Sequence, residues 1–170
     1  MASLAGTIRT IIDLKHVGTS DLSTLTDTAL HEVKLALTAG TSADQIDTLW
    51  HDRRTLAGGA NETLDLIGSL TNAFGAAASF AKVKAILIYN RTETTGVFLL
   101  VGGAASNAWA GGMLVDASDK IKIGPGGLNL WASPVDGYAA AAGSTDNLKI
   151  ENGHGSTAAE YDIFIIGTSA

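Results

Sequence analysis

Four short stretches of this sequence carry residue types that perform chemistry in other proteins. The first is "KIKIGPGGLNLW" (residues 120–131), where Gly124-Pro125-Gly126-Gly127 has the glycine density of a phosphate-cradling loop. Such a loop needs a lysine followed by Ser or Thr, then a helix whose first amides face the phosphate. Here Gly127 runs into Leu128-Asn129-Leu130-Trp131, which alternates as a strand does, and no Lys-Ser or Lys-Thr follows. Pro125 also removes one amide donor. Two alternating segments joined in this way describe a hairpin or a corner between sheets.

The second stretch, His51-Asp52-Arg53-Arg54, is the densest polar cluster. A His-Asp pair can bind metal, but such a site draws on further His or carboxylate ligands, and His16, His31 and His154 are scattered along the chain. The cluster reads better as ion pairs or as contact with a partner, with His51, Arg53 and Arg54 as the contacting residues. Gly153-His154-Gly155-Ser156 places a His beside a Ser, but lacks the Gly-x-Ser-x-Gly elbow of a nucleophile and reads as a loop. Asp116 and Asp119 offer carboxylates for calcium without the loop of about 12 residues and terminal Glu that such sites use. No local pattern nominates a carboxylate pair for glycoside hydrolysis. Trp109, in "SNAWAGG", and Trp131 are candidates for stacking on a sugar if exposed, and for core or subunit packing if not. No catalytic, cofactor-binding or metal-binding residue is nominated, and the chain is not expected to be an enzyme.

Composition narrows the class further. Of 170 residues, 46% are hydrophobic and only 16% charged, so part of the surface is expected to be covered by partners. The net charge is −6, without a basic stripe, which argues against direct binding of nucleic acid. With no cysteine, disulfides and thiolate chemistry are excluded. The opening "MASLAGTIRT" lacks the pattern of a signal peptide, and apolar runs such as 98–105 fall well short of the ~18 residues that span a bilayer, so neither secretion nor a membrane is expected.

The elements that must position these residues are strands. Period-two alternation marks half-buried strands throughout. Ile8, Ile12 and Leu14 oppose Arg9, Asp13 and Lys15; Val33, Leu35 and Leu37 oppose Glu32 and Lys34; Leu64 and Leu66 oppose Asp65. In "AKVKAILIYN", Val83, Ala85, Leu87 and Tyr89 form one apolar face, while the other begins with Lys82 and Lys84 and turns apolar at Ile86 and Ile88. "TGVFLLVGG" is apolar on both faces and reads as a central or interface strand. "KIKI", "LNLWA" and "NLKIEN" alternate, and "YDIFIIGTS" sets Tyr161, Ile163 and Ile165 against Phe164 and Ile166. Gly-rich turns separate these runs. "TDTALHEVKLALTAG" (residues 26–40) fits either a helix ending at Gly40 or a strand, and its second half is read as strand. The sum is an all-β protein: an antiparallel β-sandwich or jelly roll over residues 26–170, preceded by an extended N-terminal arm over residues 1–25.

"DTLWHDRRTLAGGANETLDLIGSLTNAFG", "FAKVKAILIYN", "KIGPGGLNLWASPVDGYAAAAGSTDNLKIEN" and the closing "YDIFIIGTS" together resemble small structural proteins of tailed bacteriophages, over roughly residues 31–170. This resemblance implies a virion component of the capsid cement, or decoration, type: a homotrimer made in the host bacterial cytoplasm and seated on the capsid exterior, where it bridges neighbouring major capsid subunits. A tail or fibre component that binds a host-surface glycan through Trp109 or Trp131 is the alternative. For the first, the expected interface residues are Ile8, Ile11 and Ile12 of the arm, Phe98, Leu99, Leu100, Phe164 and Ile166 for subunit packing, and His51, Arg53 and Arg54 for polar contact with the capsid; Trp109 is counted with them.

Overall fold

The computed structural model describes residues 3–170. Among these, the chain forms strands β1 (Gly6–Thr19), β2 (Thr24–Ala39), β3 (Gln45–Ile46), β4 (Thr48–Leu56), β5 (Asn61–Asp65), β6 (Lys82–Asn90), β7 (Leu99–Gly102), β8 (Lys120–Ile123), β9 (Leu128–Ala132), β10 (Tyr138–Ala139), β11 (Asn147–Asn152) and β12 (Ala159–Thr168), with no helix among the described residues. The fold is all-β, as the alternation predicts.

Two antiparallel sheets make the body. One runs in the order β10-β6-β12-β4, with β9 lying beside β10 along the same edge of β6; the other runs β5-β11-β7-β8. Their facing sides share one core. Trp50, Ile86, Ile88, Tyr161, Ile163 and Ile165 come from the first sheet, and Leu64, Leu99, Val101, Ile123, Leu148 and Ile150 from the second. In β12 the buried set is Tyr161, Ile163 and Ile165, so Phe164 and Ile166 look outward, as a period of two requires.

β6 resolves its two apolar faces. Ile86 and Ile88 enter the core, while Leu87 and Tyr89 lie half-buried on the outer side. Lys84 is buried as well; its ammonium donates to the Val135 carbonyl at 2.7 Å, and desolvation holds its pKa below the usual lysine range. Two buried amides tie down the sheet corners. Asn90 Nδ2 donates to the carbonyls of Val97 (3.1 Å) and Gly124 (2.9 Å), and Asn152 Nδ2 to those of Leu56, Ala57 and Thr157. Each supplies donors to backbone carbonyls at strand ends and in loops.

The Gly124–Gly127 stretch is a corner between sheets. It carries the chain from β8 in one sheet to β9 in the other, closed by the Gly127 amide on the Gly124 carbonyl at 3.0 Å. Gly126 has φ +62°, which a residue without a side chain adopts freely.

The N-terminal region departs from the sequence expectation. Residues 6–19 are not a lone arm: β1 pairs with β2 along its whole length, from Gly6 opposite Leu37 to Thr19 opposite Thr24. The helical option for residues 26–40 is not taken; Thr24–Ala39 is strand throughout. The hairpin therefore runs unbroken across the boundary drawn at 25/26 and joins the body near Leu37, which is buried at 3% exposure. Alternation in 7–15 and 33–37 announces two strands but not that they partner each other, because pairing is a tertiary choice.

Candidate interaction surfaces

The hairpin is the first candidate surface. From Arg9 to Lys34 every residue except Gly18 is exposed, and β3 touches β2 only at Thr38 and Ala39. Cross-strand partners share a face. One face carries Ile8, Ile12, Leu14, Leu25, Ala29, Val33 and Leu35, with Thr10, His16, His31 and Asp27. The other carries Arg9, Asp13, Lys15, Glu32 and Lys34, with Ile11, Leu30 and Val17 among them. Arg9 Nε meets Glu32 Oε1 at 3.0 Å on that charged face. Of the three arm residues named from sequence, Ile8 and Ile12 lie on the apolar face and Ile11 on the charged one. The β2 half of the apolar face was missed, although Val33-Leu35 alternate in plain view.

The outer side of the five-stranded sheet is the second. The register aligns Leu49, Ile166 and Ala85 in one row, His51, Phe164, Leu87 and Leu130 in the next, and Arg53, Asp162, Tyr89 and Leu128 in a third. His51 stacks on Phe164 with ring centroids 5.3 Å apart and planes 20° off parallel. Phe164 is 42% exposed and Leu128 55%. A shallow depression of about 380 Å³ lies over His51, Asp52, Arg53, Asp162 and Phe164. A second, of about 440 Å³, runs from His51 and Leu49 to Leu4 and the almost fully exposed Phe74. Leu87, Leu128, Leu130 and Phe74 were not anticipated; only the strand register reveals that the first three share a face with Phe164.

Ion pairs border this apolar field. Arg53 Nε donates to Asp162 Oδ1 at 2.7 Å, and Arg91 bridges Glu160 (2.9 Å) and Asp162 (3.0 Å). The Arg53 guanidinium, with Arg91, holds the Asp162 carboxyl below the usual carboxylate range. Arg54 behaves differently from Arg53. It sits on the alternate face of β4, pairs with Asp52 at 2.9 Å, and reaches Glu62 of the opposite sheet. It is therefore engaged in holding the two sheets together. Hydrogen bonding to Glu62 raises its pKa above the ordinary arginine value.

The remaining sequence candidates separate by burial. Phe98 and Leu100 are half-buried on the outer side of the four-stranded sheet, where the Lys122 ammonium stands 3.9 Å from the Phe98 ring centroid. Leu99 is fully buried and Trp109 is 4% exposed, so neither side chain can present itself to a partner: this corrects their placement among the interface residues. Trp109 Nε1 donates to the Ala139 carbonyl at 2.9 Å and its ring meets Tyr138 edge-on. Trp131 packs partly buried against the core. The scattered histidines stay apart, and among the described residues no group of three or more His, Asp or Glu gathers where it could hold a metal ion. Also among the described residues, no helix is long and apolar enough to cross a membrane.

Comparison of the chain with protein-family models, with curated proteins and with solved structures finds no match.

Proposed function

We propose that this chain is a capsid cement protein of a tailed bacteriophage, a homotrimer that sits on the capsid exterior and bridges neighbouring major capsid subunits. The observation that carries this reading is the hairpin: of its 14 cross-strand rows, those built from residues 9–34 project from a well-packed sandwich, and among the described residues nothing in the same protomer covers their apolar face. Isolated two-stranded ribbons are marginal in water, and natural proteins shield long strand edges. A chain that leaves both the face and the edges open is built to have them covered by assembly.

The outer sheet face supports the same reading. Phe164, Leu87, Leu130 and Leu128 form an apolar field rimmed by Arg53, Arg91, Glu160 and Asp162, the arrangement of a protein interface with an apolar centre and charged border. Burying such surface contributes about 25 cal/mol per Å² of apolar area. Several weak seats on one oligomer then multiply into firm attachment. The sequence resemblance of residues 31–170 to tailed-phage structural proteins supplies the kind of particle. The glycan-binding alternative loses its leading residue, because Trp109 is buried.

Purified protein added to capsids that lack it provides the test, read by electron microscopy. Ordered density on the capsid exterior at junctions between capsomers is the expected result. Density on tails alone, or no binding to capsids, would overturn the reading.

A further inference from the structure

We infer that the hairpins of three copies close into a six-stranded antiparallel tube, apolar faces inward, and that this tube is the trimer interface. The inference deepens the reading of the chain as a self-associating cement protein and rests on it for the oligomer's role and for the number of copies. Three features of the hairpin identify a second copy of itself as the occupant of its open surface.

The edges come first. β1 runs away from the body and β2 runs back, and among the described residues the outer edge of β1 has no strand beside it while that of β2 is free over residues 24–37. When copies stand side by side around an axis, the β1 edge of each meets the β2 edge of the next in antiparallel sense. A closed ring satisfies every edge; a face-to-face pair of ribbons satisfies none. Closure is how β-structure abolishes edges. Six strands make a tube narrower than the eight-stranded barrels whose interiors side chains just fill, so the apolar faces meet without a channel.

The second feature is the distribution of charge. Arg9, Asp13, Lys15, Glu32 and Lys34 all lie on one face, and Asp27 is the single Asp, Glu, Lys or Arg on the other. Asp27 stands opposite His16 within its own hairpin. In a parallel ring each layer meets its own kind: Ile8 with Leu35, Thr10 with Val33, Leu14 with Ala29. Asp27 then stays at the end of the tube that holds the His16 residues of all three copies. Antiparallel packing of two hairpins would instead set Asp27 against the apolar Ile8 and Leu35 end of the other copy and desolvate it there, which is costly.

The third is area. Fourteen rows at ~3.3 Å rise and a ribbon width of ~10 Å give ~460 Å² of face per copy, which a closed ring covers on all three copies at once.

The test uses the full chain and reads mass in solution by sedimentation velocity. The wild-type protein should be a trimer. Leu14→Asp and Val33→Asp, on the inward face, should shift it to monomer with the thermal midpoint of the body retained; Leu30→Asp, on the outward face, should leave the trimer intact. The chain has no cysteine, so single substitutions give clean cross-links. With a short bismaleimide, Ile8→Cys alone and Leu25→Cys alone should each link copies. Linking only when the two variants are mixed would reveal antiparallel hairpins and overturn the tube. A wild-type monomer or dimer would also overturn it, as would dissociation by Leu30→Asp as readily as by Leu14→Asp. Capsid binding, measured separately, keeps the two readings apart. A monomer that still seats on capsids sinks the tube alone, and a trimer that ignores capsids sinks the cement function alone.

Discussion

Tyr161 donates its phenolic hydrogen to Glu62 Oε1 at 2.7 Å, from β12 of one sheet to the edge strand β5 of the other. Arg54 grips the second oxygen of the same carboxylate, so one Glu gathers strands from both layers. Tyr161 is completely buried, and desolvation together with the Glu62 carboxylate pushes its pKa well above the ordinary phenol value. The group therefore stays neutral, and a donor, near neutral pH.

Removing the donor tests this clamp. Tyr161→Phe should lower unfolding stability by about 1–2 kcal/mol in urea titrations, with fold and assembly retained. Glu62→Ala should cost more, about 2–3 kcal/mol, because it strands the buried Tyr161 hydroxyl and leaves Arg54 with Asp52 alone.

Acid should weaken the protein through carboxylates held below their ordinary pKa, Asp162 and Glu151 among them. Asp162 is lowered by Arg53 and Arg91, and Glu151 by Lys149 and Lys120. A carboxyl whose folded pKa lies below its unfolded value adds stability above the unfolded pKa and loses it as pH falls through the folded one. The urea midpoint should thus be flat near neutrality and fall below about pH 4, where carboxylates ordinarily protonate. Asp162→Asn should make that acid limb shallower; an unchanged limb would show that Asp162 is not one of its sources.

Neighbouring residues of β12 should respond oppositely to substitution. Ile163, fully buried, should cost about 2–5 kcal/mol on replacement by Ala. Phe164→Asp, on the outer face, should change stability by about 1 kcal/mol or less yet reduce occupancy on capsids. Paired thermal melts and capsid co-sedimentation separate the two roles.

Gly167 marks a bulge where the β12 register against β6 shifts, and a Cβ there would collide with the Lys82 carbonyl oxygen. Gly153 faces the Phe98 ring in the same way. Gly167→Ala meets main chain and should destabilise by about 1–3 kcal/mol, while Gly153→Ala meets a side chain that can turn and should cost less. Thermal melts of the two variants give the ranking.

Replacing residues 9–34 by a two-residue Asn-Gly turn between Ile8 and Leu35 should leave a soluble sandwich with an unchanged unfolding midpoint, since this stretch packs only on itself. Loss of the body's folding on this change would show that the hairpin is structural to the protomer.

Local chemistry alone determined the strand content of this protein and which residues of a strand share a face. Alternation put Tyr161, Ile163 and Ile165 on one side and Phe164 on the other, and Gly-Pro-Gly-Gly between two alternating runs was enough to mark a hairpin or a corner between sheets, though not to choose between them. These follow from period-two geometry and φ preferences, which act within a few residues. Everything that depended on which strand lies beside which was decided by the tertiary structure. Residues 7–15 read as an arm until their pairing with residues 28–36 made them half of a hairpin. Leu99 and Trp109 were counted among the interface residues until the packing of the two sheets placed both in the core. Arg53 and Arg54, adjacent and alike in sequence, were parted by the pleat, one to the outer face and one to the clamp on Glu62. Alternation states that a strand has two unlike faces; only the packing of sheets states which face is covered, and by what.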